Sequence, residues 1–381
     1  MIFKKTLLIT KYFPPMIGGS IRWYEEVYKR YPSGYAFVLT QKTEGWEEFD
    51  AKYPVSVVRT TPWGHSSLHH RYAKIYWEIY RRAKFLIQRE GLVLVHCDIV
   101  LPAGLIGYFL KLTCHFPYIL YAHGEEITLY RQLKPEKYII PLIYKKAKAI
   151  IVNSRFTRQL LLEMGVSPSQ IHLIHPGVDT NYFRPNLDST FLREKHDLKD
   201  KKIVLTISRL QERKGQDFVI QAMPKVLKQI PNAHYLIVGD GEEHSRLEKM
   251  VRELNLEKHV TFTGFVDEDV LPYYYNLADV FILANRETET KDIEGFGMVF
   301  IEANACGKPV IGGRTGGAVD AIIDGVTGFL IDPTNVNAIS QKIVFLLTHP
   351  HKAEEMGKQG RERAVREFQW DNIAKRIQGL G

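Results

Sequence analysis

Cysteine is scarce: only Cys97, Cys114 and Cys306 occur in 381 residues. An odd, scattered set without metal-type spacing predicts neither a disulfide scaffold nor a zinc site. Long hydrophobic runs are also missing. The longest, residues 92–110, is interrupted by His96, Asp98 and Pro102, which excludes a transmembrane helix. The apolar stretch in Met1-Ile-Phe-Lys-Lys-Thr-Leu-Leu-Ile-Thr10 is too short for a secretory signal and reads as a first strand. There is no low-complexity tract and no internal repeat. These absences point to a reducing, cytoplasmic compartment.

What is present is an ordinary globular composition, 45% hydrophobic and 25% charged. The length predicts two domains. The net charge of +8 is unevenly placed: residues 1–180 hold 24 Lys and Arg against 14 Asp and Glu, whereas residues 181–381 hold 27 against 29. A basic first half suggests an anionic partner, such as a membrane surface, nucleic acid or a phosphorylated acceptor.

Short β-branched runs alternate with helical patterns. Strands are expected at 6–10, 36–40, 55–59, 93–97, 118–122 and 149–153, with helices such as 72–89 and 156–164 between them. A second series has strands at 203–207, 234–238, 260–263, 280–283, 309–312 and 329–331, separated by helices at 216–229, 242–253, 297–305 and 337–347. That alternation predicts α/β architecture with parallel sheets covered on both faces. Pro185-Asn-Leu-Asp-Ser189 supplies the turn residues of a linker. The expectation is two Rossmann-like domains, 1–182 and 183–366, with a terminal helix at about 367–381 packing back on the first. Such domains bind ligands at the carboxyl ends of their strands.

The most informative segment is Glu294-Gly-Phe-Gly-Met-Val-Phe-Ile-Glu302, followed by Ala-Asn-Ala-Cys-Gly-Lys-Pro-Val and a Gly316-Gly317 pair. It reads as loop, helix, strand and loop. Gly295 and Gly297 let the backbone approach a ligand, and the following helix aims unpaired N–H groups at a phosphate. Glu294 and Glu302 could contact two hydroxyl-rich parts of one molecule. A glycine-capped surface helix with two solvated carboxylates is the plainer alternative, and the length of the motif argues against it.

This segment resembles family 4 of the retaining glycosyltransferases, which have the GT-B fold, and the likeness extends over nearly the whole chain. The resemblance implies two Rossmann-like domains facing each other across a cleft. It implies that Glu294 contacts a donor sugar and Glu302 the ribose hydroxyls, with the backbone of Phe296, Gly297 and Met298 near the sugar and diphosphate. In Ser208-Arg-Leu-Gln-Glu-Arg-Lys-Gly215 it assigns Arg209 and Lys214 to the leaving diphosphate, whose growing negative charge they would stabilise. Gly18 and Gly19, in Phe13-Pro-Pro-Met-Ile-Gly-Gly-Ser20, resemble a glycine pair that reaches the donor phosphates. His123, in Tyr121-Ala-His-Gly-Glu-Glu126, would hydrogen-bond the sugar. Glu125 and Glu126 read as solvated turn residues. The turn Gly264-Phe-Val-Asp-Glu-Asp269 would hold the base through the Val266 backbone, with Glu268 accepting from guanine N1–H and N2–H, which favours a GDP-sugar over a UDP-sugar. Arg209 and Lys214 leave no role for a metal, and no cofactor is expected.

Two features depart from the family pattern. Asp320 stands where a Glu is more usual. The stretch Arg286-Glu-Thr-Glu-Thr-Lys-Asp-Ile293 lengthens the loop before Glu294 and resembles the phosphatidylinositol mannosyltransferase branch. Finally, the stretch 69–85 is basic and aromatic. Leu68, Tyr72, Ile75, Ile79 and Leu86 share a helical face, and Arg71, Lys74, Arg81, Arg82 and Lys84 supply charge elsewhere, as suits a helix lying on anionic lipid. An amphipathic core helix has the same pattern.

The function expected is a retaining, metal-independent hexosyltransferase moving a sugar, mannose from GDP-mannose in preference, to a lipid-linked or glycan acceptor. It would be cytoplasmic, with peripheral placement on the inner face of the membrane as an extension. The alternatives are a UDP-sugar-dependent transferase of glucose or GlcNAc and, behind it, a nucleotide-sugar epimerase. An NAD-dependent oxidoreductase is disfavoured because Val238-Gly-Asp-Gly-Glu-Glu-His244 has His where the third glycine belongs. A nucleic-acid binder would leave residues 294–317 unexplained.

Overall fold

A computed structural model describes residues 3–64, 68–69, 72–130 and 135–380. Contacts divide the chain into two compact units, Met1–Pro176 with Trp370–Gly381, and Gly177–Gln369.

The first unit is built on seven parallel strands: β1 (Thr6–Ile9), β2 (Ala36–Gln41), β3 (Ser56–Thr60), β4 (Leu94–Cys97), β5 (Tyr118–Ala122), β6 (Ala149–Val152) and β7 (Ile171–Leu173). Their order is β3-β2-β1-β4-β5-β6-β7. Strands such as Thr-Leu-Leu-Ile and Ala-Ile-Ile-Val are buried along their whole length, because helices cover both faces and leave no side for polar residues. The order reverses between β1 and β4, and the carboxyl ends of these two strands form the topological switch point. Asp98, directly after β4, ties them together. Its Oδ2 accepts from Thr10 Oγ1 at 2.8 Å and from the Lys11 N–H at 2.9 Å. The helix Trp370–Gln378 belongs to this unit, where Arg30 Nε donates to Asp371 at 2.6 Å and Trp370 is buried.

The second unit holds six parallel strands: β8 (Lys202–Ile207), β9 (Ala233–Val238), β10 (Val260–Phe262), β11 (Val280–Leu283), β12 (Val310–Gly313) and β13 (Gly328–Ile331). The order is β10-β9-β8-β11-β12-β13, which places its switch point between β8 and β11. Helices Gln216–Leu227 and Val336–Thr348 pack on each other over the sheet, and Met298–Ala305 packs on Pro350–Glu367.

The strands found match those expected to within a residue or so at each end, and β7 is additional. With three residues, one of them His172, it is too short to announce itself by pattern. The helix Pro350–Glu367 was also not anticipated. Its Gly357 and Gly360 are points of close contact. A Cβ at Gly357 would lie 2.0 Å from the Gly307 carbonyl oxygen, and one at Gly360 2.5 Å from the Asn304 side chain. Among the described residues no helix is long and apolar enough to cross a membrane.

Candidate active site

In the second unit the candidate diphosphate segment leaves β8 at Ile207 and runs through Ser208 and Arg209 to a 3-10 turn, Glu212–Lys214. Gly215 ends that turn at φ 73°, in the left-handed region. A Cβ there would stand 1.9 Å from the Ala284 carbonyl oxygen, so glycine lets this turn seat against the end of β11. Buried Gln216 fixes the turn from below, its Nε2 donating to Ser208 Oγ at 2.9 Å and to the Arg209 carbonyl at 3.3 Å.

The turn delivers two cations to one carboxylate. Lys214 Nζ donates to Glu294 Oε2 at 2.5 Å, and Arg213 donates to the same oxygen at 2.9 Å. Arg213 also lies 3.1 Å from an Asp292 carboxylate oxygen. Burial alone would push the Glu294 carboxyl up, but the charges of Lys214 and Arg213 outweigh it and hold the group down at about 2. Burial pushes the Lys214 ammonium down, with Glu294 opposing. Arg209 is exposed beside this cluster. Arg213, which is buried, and Asp292, which is half-buried, support Glu294 without being among the residues that the sequence singles out. The adjacency of two cations in Arg213-Lys214 was the available signal.

The loop leading into Glu294 is braced rather than loose. Arg286 is buried and makes two bonds to Asp217, at 2.8 and 3.0 Å, the paired geometry that a guanidinium favours. Gly316 and Gly317 explain themselves by packing. The Gly317 N–H donates to the Glu294 carbonyl at 2.8 Å, and a Cβ at Gly317 would stand 1.8 Å from the Gly295 carbonyl oxygen.

Gly297 caps the helix Met298–Ala305 at φ 85°, where a Cβ would meet the Phe300 ring at 2.6 Å. Phe296 is buried against Phe368, and Met298 is partly buried on the core. The Phe296 side chain is thus spent on the core, and that of Met298 in part. Glu302 is buried, and Tyr275, also buried, donates to its Oε2 at 2.7 Å. Solvated carboxylates, the plainer alternative for Glu294 and Glu302, are therefore excluded. Val266 packs on the core, and Glu268 is exposed in a short 3-10 turn whose backbone carbonyl accepts from Tyr182. Asp320 is buried in the short helix Ala318–Ala321.

In the first unit, Gly18 caps the ten-residue helix Gly19–Tyr28. Both glycines stand at a helix N-terminus, where unpaired N–H groups favour an anion. His123 follows β5. The Tyr24 hydroxyl lies 2.6 Å from its Nε2 and also donates to the Asp98 carbonyl at 2.9 Å. Tyr24 thus bridges the Nε2 edge of the His123 ring and the chain just after β4. Burial lowers the imidazole to about 4, so it is neutral near pH 7. Glu126 differs from the expectation of a solvated residue. It is buried, accepts from the His123 N–H at 2.9 Å and from Tyr144 at 3.2 Å, and burial raises its carboxyl to about 7. Glu125 is exposed.

Of the two readings of the basic helix, Ala73–Glu90, its apolar stripe follows the amphipathic core helix. Tyr72, Ile79 and Leu86 are buried in the core, and Leu68 and Ile75 pack against it. That apolar stripe is therefore unavailable to lipid. Trp77 and Phe85 are the exposed apolar groups, beside exposed Lys74, Arg81 and Arg82; Arg71 lies outside the described residues. Among the described residues no group of three or more His, Cys, Asp or Glu is placed to hold a metal ion.

Two Rossmann-like domains, the second carrying a buried carboxylate–cation cluster beside a glycine-capped helix, define a GT-B glycosyltransferase. Residues 36–182 match the family model described as Glycosyltransferase Family 4, and residues 188–363 the model for Glycosyl transferases group 1. The chain is 32% identical over 380 residues to a GDP-mannose-dependent alpha-(1-6)-phosphatidylinositol monomannoside mannosyltransferase of Mycolicibacterium smegmatis, covering 98% of this chain and 97% of the relative. It is 29% identical over 391 residues to the enzyme of Corynebacterium glutamicum named for the monoacylated form of that acceptor, covering 99% and 97%. Among solved structures, Anabaena HepE in complex with UDP and glucose superposes with a TM-score of 0.84 at 21% identity, covering 99% and 98%. Sucrose-phosphate synthase from Thermosynechococcus elongatus does so with 0.80 at 26%, covering 98% and 97%. This chain belongs to glycosyltransferase family 4.

Proposed function

We propose that the protein transfers mannose from GDP-mannose to a lipid-borne acceptor with retention of configuration. The observation that carries this is the Glu294 carboxylate, buried and held by Lys214 and Arg213, in a chain related over its whole length to GDP-mannose-dependent lipid mannosyltransferases. Arg209 and Lys214 bind the diphosphate and stabilise the charge it gains as the glycosidic bond breaks. Glu294 orients the sugar and Glu302 binds the ribose hydroxyls, with Phe296, Gly297 and Met298 contributing backbone contacts. Val266 and Glu268 hold the guanine. Gly18 and Gly19 act on the phosphates. His123, neutral and fixed by Tyr24, hydrogen-bonds the sugar instead of taking a proton from it.

The first domain's exposed surface fits an anionic membrane. Trp77, Phe85, Leu112 and Tyr138 project from three adjacent helices, Ala73–Glu90, Leu105–Cys114 and Glu136–Lys146, among exposed lysines and arginines. Cytoplasmic protein docked on the inner leaflet is the placement this supports.

The test is transfer from GDP-mannose, and in parallel from UDP-glucose and UDP-GlcNAc, to a phosphatidylinositol monomannoside in mixed vesicles. An α-linked mannose product from GDP-mannose alone is expected. Efficient transfer from a UDP-sugar overturns the donor assignment, and a β-linked product overturns retention.

A further inference from the structure

Both cations of the cluster converge on one oxygen, Glu294 Oε2, with Lys214 at 2.5 Å and Arg213 at 2.9 Å. The Lys214 and Glu294 side chains are each only 12% exposed, so water is poorly placed to replace either partner. An anion that takes Lys214 must approach a carboxylate already bonded to that ammonium, and like charges this close oppose each other. Arg213 is anchored independently of Lys214. Asp292 holds its guanidinium, and its carbonyl accepts from the Arg286 N–H at 2.8 Å. A carboxylate that gives up Lys214 therefore keeps Arg213 as counter-ion.

We propose that Glu294 determines specificity between an intact nucleotide-sugar and a bare nucleoside diphosphate, because its carboxylate competes with the diphosphate for Lys214. This rests on the assignment of Lys214 to the diphosphate. A nucleotide-sugar repays the displaced carboxylate with sugar hydroxyl donors. A nucleoside diphosphate carries no such group and meets the competition in full. The nucleotide left after transfer is thus held more weakly than the donor, which favours its release.

Isothermal titration calorimetry of the full chain with GDP, with UDP as a second probe, and with GDP-mannose tests this on wild type, Glu294→Gln, Lys214→Gln and the double variant. Glu294→Gln should tighten GDP about 10-fold or more, the scale of one charge-assisted hydrogen bond, without tightening GDP-mannose comparably. Lys214→Gln should weaken both ligands, and the gain from Glu294→Gln should vanish in the Lys214→Gln background. GDP affinity unchanged or reduced by Glu294→Gln, with Lys214→Gln still weakening GDP, overturns the competition and leaves the diphosphate assignment standing. Lys214→Gln without effect on any nucleotide overturns both. Should Glu294→Gln fail to fold, Glu294→Asp, which withdraws the carboxylate by one methylene, decides in its place. Tighter GDP supports the competition and unchanged GDP overturns it.

Discussion

Replacing Arg213 by Met is the sharpest structural perturbation of the cluster. The Arg213 side chain is 7% exposed and lies within 3.1 Å of Asp292 and 2.9 Å of Glu294. Methionine preserves much of the stem's packing and removes the charge, which leaves Glu294 with Lys214 alone and takes the guanidinium away from Asp292. Breaking a buried ion pair by deleting one partner costs about 3–5 kcal/mol. Asp292 is about a third exposed and recovers some hydration, so the lower end, about 3 kcal/mol, is expected. For a domain of this size each kcal/mol moves the midpoint by about 2–4 °C, which gives a fall of about 6–12 °C. Differential scanning calorimetry resolves this if the second-domain transition shifts while the first stays in place. The sign of the pH dependence follows from Glu294. Its carboxyl is held below the ordinary 4.5 at about 2, so its contribution to stability is present above pH 4.5 and lost as pH falls through 2. The gap between wild type and variant should therefore narrow on acidification. A midpoint shift below about 2 °C at pH 7 would refute the idea that Arg213 carries the buried charge balance.

Further expectations concern both domains. Tyr24→Phe removes the bond to His123 Nε2 and should lower kcat/KM about 10-fold at pH 7, as loss of one hydrogen bond implies, with the fold intact by circular dichroism; wild-type kinetics would show that His123 needs no such anchor. The Glu126 carboxyl, raised by burial to about 7, contributes stability that is full below pH 4.5 and lost as pH rises through 7. Glu126→Gln should flatten that slope in first-domain melts, and an unaltered slope would assign it elsewhere. Gly317→Ala places a Cβ 1.8 Å from the Gly295 carbonyl oxygen and should abolish transfer. Gly264→Ala, at φ 70° with nothing within 4 Å, should cost only about 1 kcal/mol, and equal losses in the two would contradict the packing account. Exchanging Trp77 and Phe85 together for Ser should release the protein from anionic vesicles in sedimentation assays, whereas unchanged retention would put the membrane contact elsewhere.

Much of the fold was legible because the strands are buried on both faces and read as uninterrupted apolar runs. The two carboxylates stood out through the resemblance of residues 294–302 to family 4, and burial sets both apart from solvated surface residues. Their supports were harder to see. Arg213 reaches Glu294, Tyr275 reaches Glu302 and Asp292 reaches Arg213 only after the chain has folded, and each by itself resembles an ordinary loop or core residue. Glu126 reads as a surface carboxylate until Tyr144 and the His123 N–H are brought to it. The helix Ala73–Glu90 shows the opposite difficulty. Its apolar stripe is as consistent with lipid as with a core, and only packing shows that Ile79 and Leu86 are spent inside. The helix Pro350–Glu367 hides its purpose in a similar way, since the need for glycine at 357 and 360 comes from the Gly307 carbonyl and the Asn304 side chain that pack against them.

The most direct measurement of the central claim is the initial rate of mannose transfer from GDP-mannose to a phosphatidylinositol monomannoside by wild type and Lys214→Gln, with GDP affinity measured in parallel. The account predicts α-mannosylated lipid from wild type, and weaker GDP binding together with a loss of about 100-fold or more in kcat from Lys214→Gln, the scale of losing one group that stabilises developing charge. Undiminished transfer and GDP binding in Lys214→Gln would contradict it.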